Sequence, residues 1–158
     1  MFNIGDKVVY PMHGAGIIEA IEEKEILGEK QKYYVMRMPL RNMRVMIPIN
    51  SVKEIGVRQI VSDEEIDQVF KILRGEKSKM PTNWNHRYRA NMEKIKSGNI
   101  FQVAEVVRNL GLREKEKGLS AGERRMFENA KQILVSEIAL SKNIDEMSAH
   151  KMIENALG

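Results

Sequence analysis

Gly56-Val57-Arg58-Gln59-Ile60-Val61-Ser62-Asp63-Glu64-Glu65-Ile66-Asp67-Gln68-Val69-Phe70 is the stretch in which the chain changes its period. From Ser62 onward the pattern is helical. Ser62 and Glu65 form a capping box, the serine oxygen accepting from the Glu65 N–H while the carboxylate reaches back. Ile66, Val69, Phe70 and Leu73 then fall on one helix face, and Gly75 ends it. Before Gly56 the period is two. Residues 8–10, 15–21, 33–38 and 44–49 are rich in β-branched and aromatic side chains, as suits a half-buried pleated surface. Pro11, Gly14-Ala15-Gly16, Gly28 and Pro39 punctuate them, the glycines permitting tight turns between strands. Tyr34, Met36 and Met38 alternate with Tyr33, Val35 and Arg37, and a second alternation runs through Val45, Ile47 and Ile49.

The expected fold is therefore α+β, a small Tudor-like or SH3-like β-barrel of four or five strands followed by a compact all-helical domain. The expected organisation is a barrel over 1–55, a junction over 56–61 and a helical domain over 62–158. Fifty-five residues enclose a thin core, so the barrel is expected to gain stability by packing on its neighbour. In the helical part, Thr82 or Asn83 caps a second helix carrying Tyr88, Met92 and Ile95 to a stop at Ser97-Gly98. A third helix runs from Asn99 through Leu110. Ser120-Ala121-Gly122-Glu123 reads as a second capping box, opening a long helix with Met126, Ala130, Ile133, Leu134 and Ile138. Ile144, Met147, Ile153 and Leu157 belong to a last one.

Composition excludes several classes of function. The 158 residues are 42% hydrophobic and 30% charged, which is globular composition. No run of eighteen apolar residues exists to span a membrane. The first residues lack a basic n-region and an apolar h-region, so no signal peptide is expected and the protein reads as cytosolic. Zero cysteines remove disulfides, thiolate metal sites and cysteine nucleophiles together. His13, His86 and His150 have no metal-ligand spacing, and neither a phosphate loop nor a dinucleotide loop is present. The expectation is a protein that is not an enzyme, with no cofactor, metal or small-molecule substrate.

Charge is uneven. Residues 71–96 hold eight Lys/Arg against Glu76 and Glu93, a local charge of +6 in a chain whose net charge is +4. Such asymmetry points to a polyanion partner, with a solvated basic face as the plain alternative. Inside this segment lies the single tryptophan, in Pro81-Thr82-Asn83-Trp84-Asn85-His86-Arg87-Tyr88-Arg89. Trp84 is expected in the first turn of the second helix, one turn from Arg87 and Tyr88, and an arginine there argues against a dry core. Two readings stand: the indole packs on Tyr88 and buries its area, or it is exposed among cations and stacks on or wedges between bases.

At these residues the sequence resembles the CarD/CdnL family of bacterial RNA polymerase-binding transcription regulators. The resemblance is carried by Gly5-Asp6-x-Val8-Val9-Tyr10-Pro11-x-His13-Gly14, Gly56-Val57-Arg58, Pro81-Thr82-Asn83-Trp84, Ala104-Glu105-Val106-Val107-Arg108 and Gly118-Leu119-Ser120-Ala121-Gly122-Glu123, in that order. It implies that the N-terminal domain docks on the polymerase β subunit. It also implies that the helical domain reaches promoter DNA at the upstream edge of the opening bubble, with Trp84 wedging at the minor groove. Family positions that contact the DNA backbone match Arg87, Arg89 and Arg124, and His86 stands where some relatives carry Arg. Polymerase contacts match Lys24 and Met46, where relatives carry basic residues, with Arg37 or Arg44 able to compensate. The protein is further expected to be a monomer in the cytoplasm, associated with the nucleoid through polymerase. The alternative is a stand-alone architectural DNA-binding protein.

Overall fold

The computed structural model describes residues 1–158. Five antiparallel strands form the N-terminal sheet: β1 (Lys7–Tyr10), β2 (Gly14–Ile26), β3 (Glu29–Met38), β4 (Met43–Pro48) and β5 (Arg58–Gln59), in the order β4-β3-β2-β1-β5. A bulge between Ile18 and Ala20 bends β2. β2 and β3 are longer than their apolar runs, because the pairing continues through the charged residues 22–32 to Leu27 and Gly28. Both turn residues have positive φ, 53° and 81°, as a two-residue hairpin turn matched to the strand twist requires. β5 lies within the 56–61 junction stretch and pairs with β1 through Val8–Gln59 and Val9–Arg58. The short helix α1 (Val52–Ile55) leads into it.

Alternation works as the sequence indicates. Tyr34, Met36, Met38 and Ile47 are buried with Val8, Ile18 and Val57, a sheet core of only seven residues. Gly14 has φ +110°, a conformation that suits a turn. Gly16 does not; it sits within β2, where a Cβ would lie 2.5 Å from the Arg37 carbonyl, so its role is close approach of strands.

Five helices follow: α2 (Asp63–Arg74), α3 (Trp84–Lys96), α4 (Ile100–Glu116), α5 (Ala121–Lys142) and α6 (Glu146–Leu157). The Ser62–Glu65 capping box is complete, with both reciprocal bonds formed. Asn83, Asn99 and Asp145 cap α3, α4 and α6. Leu110, Leu134, Ile138 and Ile153 belong to a core of 21 buried residues that α5 runs through from end to end. Each such side chain contributes about 1.5–3 kcal/mol by leaving water. Met147, expected on the apolar face of α6, is instead 69% exposed, because in the first turn it points away from α5 and Ile153.

The thin sheet core leans on this larger one. α5 crosses the start of β2, where the Ala15 N–H donates to Ser136 Oγ at 2.9 Å. Met12 and Leu40 pack against the helical core.

Candidate nucleic-acid interface

Asn83 rather than Thr82 starts α3, its Oδ1 accepting from the His86 N–H at 3.1 Å. Trp84 is the first residue of the helix and 42% exposed. Both readings of its place apply in part. The indole stacks on Tyr88 one turn on, with ring centroids 5.1 Å apart and planes 20° from parallel. Its Nε1–H donates to Ser120 Oγ at 3.0 Å. Its benzo edge lies over Gly122, where a Cβ would sit 3.4 Å from Trp84 Cζ2. The same Ser120 hydroxyl accepts from the Glu123 N–H at 3.2 Å and caps α5. One face of the ring is thus seated on protein and the rest faces solvent.

Arg87 corrects the expectation that an arginine at this spacing stays out of the core. It is 3% exposed, and Glu123 opposite it is 2% exposed. The guanidinium and carboxylate form a fork, Nε to Oε2 at 2.7 Å and Nη2 to Oε1 at 3.1 Å. Nη1 donates to the Thr82 carbonyl at 3.0 Å. All its donors are turned inward, so in this structure Arg87 positions α3 against α5 and offers nothing to a phosphate. The hydrogen bond from Arg87 holds the Glu123 carboxyl below the usual carboxylate range despite its burial, and the same bond raises the guanidinium. This pairing also halves the second capping box. Ser120 caps Glu123, but the carboxylate bonds Arg87 instead of reaching back to the Ser120 N–H.

The other candidates remain at the surface. His86 and Arg89 are exposed on α3. Arg124 is exposed on the first turn of α5 and bridges Glu114 at 3.1 Å. The +6 of residues 71–96 is smaller in space than in sequence. Lys77 pairs with Glu116, Arg87 with Glu123 and Lys94 with Glu105, which leaves Lys71, Arg74, Lys79, Arg89 and Lys96 without an acidic partner. Sequence reading missed Ser120 and Gly122 as the seat of Trp84 and Glu123 as the partner of Arg87. Their motif was visible, but its helix-capping pattern accounted for it without a partner 36 residues away.

On the sheet, register places the other candidate residues. Arg37 pairs with Arg44 and Val35 with Met46, so Arg37, Arg44 and Met46 share the face opposite Tyr34 and Met36. Lys24 pairs with Gln31, on the same face by alternation but roughly 20 Å along the strand from Arg37. The structure thus brings three of the four together and sets Lys24 apart on the hairpin. The exposed Arg44 bridges the half-buried Glu19 at 3.0 Å, through a carboxylate oxygen that is covered from solvent.

No helix is long and apolar enough to cross a membrane, and no group of three or more His, Cys, Asp or Glu is placed to hold a metal ion.

Comparison with known proteins covers both halves. Residues 2–61 match the CarD-like/TRCF RID domain and residues 68–154 match the CarD C-terminal domain. A putative transcription factor of Bacillus subtilis strain 168, YdeB, is 48% identical over 146 residues, which is 92% of this chain and 95% of that protein. Two solved N-terminal fragments from Myxococcus xanthus are also similar. One is the 72-residue N-terminal domain of CarD, 39% identical over 37% of this chain and 79% of that one, with a TM-score of 0.33. The other is an N-terminal fragment of CdnL, 46% identical over 40% of this chain and 89% of that one, with a TM-score of 0.35. With the N-terminal sheet and the helical region each matched in order and a relative aligned over nearly the whole length, the chain belongs to the CarD/CdnL family of RNA polymerase-interacting transcription regulators.

Proposed function

We propose that this protein docks on the RNA polymerase β subunit through the sheet face carrying Arg37, Arg44 and Met46, with Lys24 beyond them. From there it stabilises the promoter open complex through Trp84. The observation that carries the reading is the indole itself, 42% exposed at the first residue of α3 and seated on Tyr88, Ser120 and Gly122. His86, Arg89 and Arg124 are the exposed groups that reach phosphates, while Arg87 acts from within the core. The working organisation is a docking domain over 1–55, a junction over 56–61 and a DNA-contacting domain over 62–158, acting as a monomer.

The energetics favour an opened junction. Partial unstacking at a base step costs roughly a few kcal/mol in intact duplex. At a bubble edge that cost is already met, so the ring binds the open state better than the closed one. Only such a difference shifts an equilibrium, and about 1.4 kcal/mol of it shifts the ratio tenfold. Phosphate contacts position the ring without reading sequence. Docking on polymerase raises the effective concentration at the bubble, so weak intrinsic DNA affinity suffices.

The test is Trp84→Ala, measured as the lifetime of open complexes challenged with a competitor. Binding to polymerase and the helical circular dichroism persist while the lifetime falls. An unchanged lifetime refutes the wedge. Deleting residues 1–55 is a poorer test of docking, because it strips Ala15, Met12 and Leu40 from α5 and the helical core.

A further inference from the structure

Glu137 lies well inside α5 and is 1% exposed, yet its carboxylate bonds to the connection between the two halves of the chain. Arg58 of β5 forks onto it, Nη1 to Oε2 and Nη2 to Oε1, both at 2.8 Å. The Val61 N–H donates to Oε2 at 2.9 Å. The remaining donor of Arg58, Nε, bonds the Gly98 carbonyl between α3 and α4 at 2.8 Å. Nearby, Lys7 of β1 donates to the Leu140 carbonyl at 2.9 Å, and Ser141 Oγ donates to the Val61 carbonyl at 3.0 Å. Pro11 fills the space over Gly98, where a Cβ would lie 3.0 Å from Pro11 Cγ. β1, the start of β2 and β5 are therefore all bonded to one stretch of α5.

We infer that Arg58 and Glu137 are positioning residues that lock the docking sheet to the helices in one orientation, so that docking on polymerase fixes where Trp84 falls. This rests on the function proposed above. A carboxylate is costly to bury, and a stability role alone is served as well by apolar residues. Directional bonds to three separate elements specify an orientation instead. A flexible linker would spread the indole over a volume set by its length. Here the connecting residues are themselves paired in β5 and bonded to Glu137, so the tether has no slack. Ser120 and Glu137 sit roughly 26 Å apart along α5, which makes that helix the rigid arm between lock and indole.

The chain has no cysteine, so cysteines introduced at the exposed Asn50 and Lys151 take two spin labels and no others. In the full-length protein the interdomain distance distribution is narrow. Arg58→Ala broadens it at least twofold, and Arg58→Lys, which keeps the charge but loses the fork, falls between. Polymerase binding stays within twofold, while open-complex lifetime loses more than half of what Trp84→Ala removes. Should Arg58→Ala fail to fold, Arg58→Met with Glu137→Met removes both charges together and is measured in the same way. Trp84 fluorescence, remote from the lock, reports whether the helices are intact. An unchanged distribution overturns the lock, and so does a broadened one with full open-complex lifetime. A null result for Trp84→Ala defeats the proposed function instead, and the distance distribution still decides the lock.

Discussion

Replacing Arg87 with alanine leaves Glu123 buried without its partner and the Thr82 carbonyl without its donor. Breaking a buried ion pair from one side costs about 3–5 kcal/mol, because the remaining charge is stranded. At about 2–4 °C per kcal/mol for a chain of this size, the melting temperature falls by roughly 6–20 °C. The dependence on pH has a definite sign. In the native protein the Glu123 pKa is depressed, chiefly by the bond from Arg87. The stability it contributes is present above the unfolded carboxylate value of about 4.3 and lost as pH falls through the native value. Without Arg87, burial dominates and moves the native pKa upward, so the variant suffers most at neutral pH and recovers as the carboxyl protonates. Urea unfolding of both proteins from pH 7 down to pH 4, followed by circular dichroism, should show the difference shrinking. Arg87→Met with Glu123→Met should regain more than half of the loss. A difference below about 1 kcal/mol at pH 7, or one that stays constant with pH, refutes the assignment of Arg87 to the core.

Three further outcomes follow from the same geometry. Arg89→Ala lowers the slope of log affinity against log salt for DNA by about 0.9, as loss of one phosphate contact does, whereas Arg87→Ala leaves it unchanged below its melting temperature. Ser120→Ala removes the α5 cap and the indole's acceptor at once; it costs about 1 kcal/mol in chemical unfolding and increases acrylamide quenching of the single tryptophan. Arg44→Glu weakens binding to an isolated polymerase β lobe at least tenfold, with circular dichroism of the variant showing the sheet still folded. Equal lobe affinity for that variant moves the docking face elsewhere.

What the sequence discloses depends on how local the physics is. The helix starts at Ser62, Asn83, Asn99 and Ser120 are legible, because a cap and the apolar repeat after it lie within a few residues. The alternation through Tyr34, Met36 and Met38 gives a buried sheet face. The charged arm from Glu22 to Lys32 gives no such signal, since it stands clear of both cores and neither of its faces alternates in hydrophobicity. β5 is two residues long and exists only through its pairing with β1. Arg87 is the instructive case. Its charge and helical spacing place it at the surface, and only Glu123, far along the chain, makes the interior tolerable. The same long-range pairing removes Lys77 and Lys94 from a basic segment that looks unbroken in one dimension.

Trp84 also bears on what association costs. A free indole on a helix end samples several rotamers, and a side chain that must be immobilised on binding gives up roughly 0.5–1.5 kcal/mol of entropy. The stack on Tyr88 and the bond to Ser120 hold this ring in one orientation beforehand. That entropy is lost when the protein folds, so it is not charged against the encounter with DNA. The ring meets a bubble edge as a fixed blade, and a contact too brief to select a rotamer is long enough for it to engage.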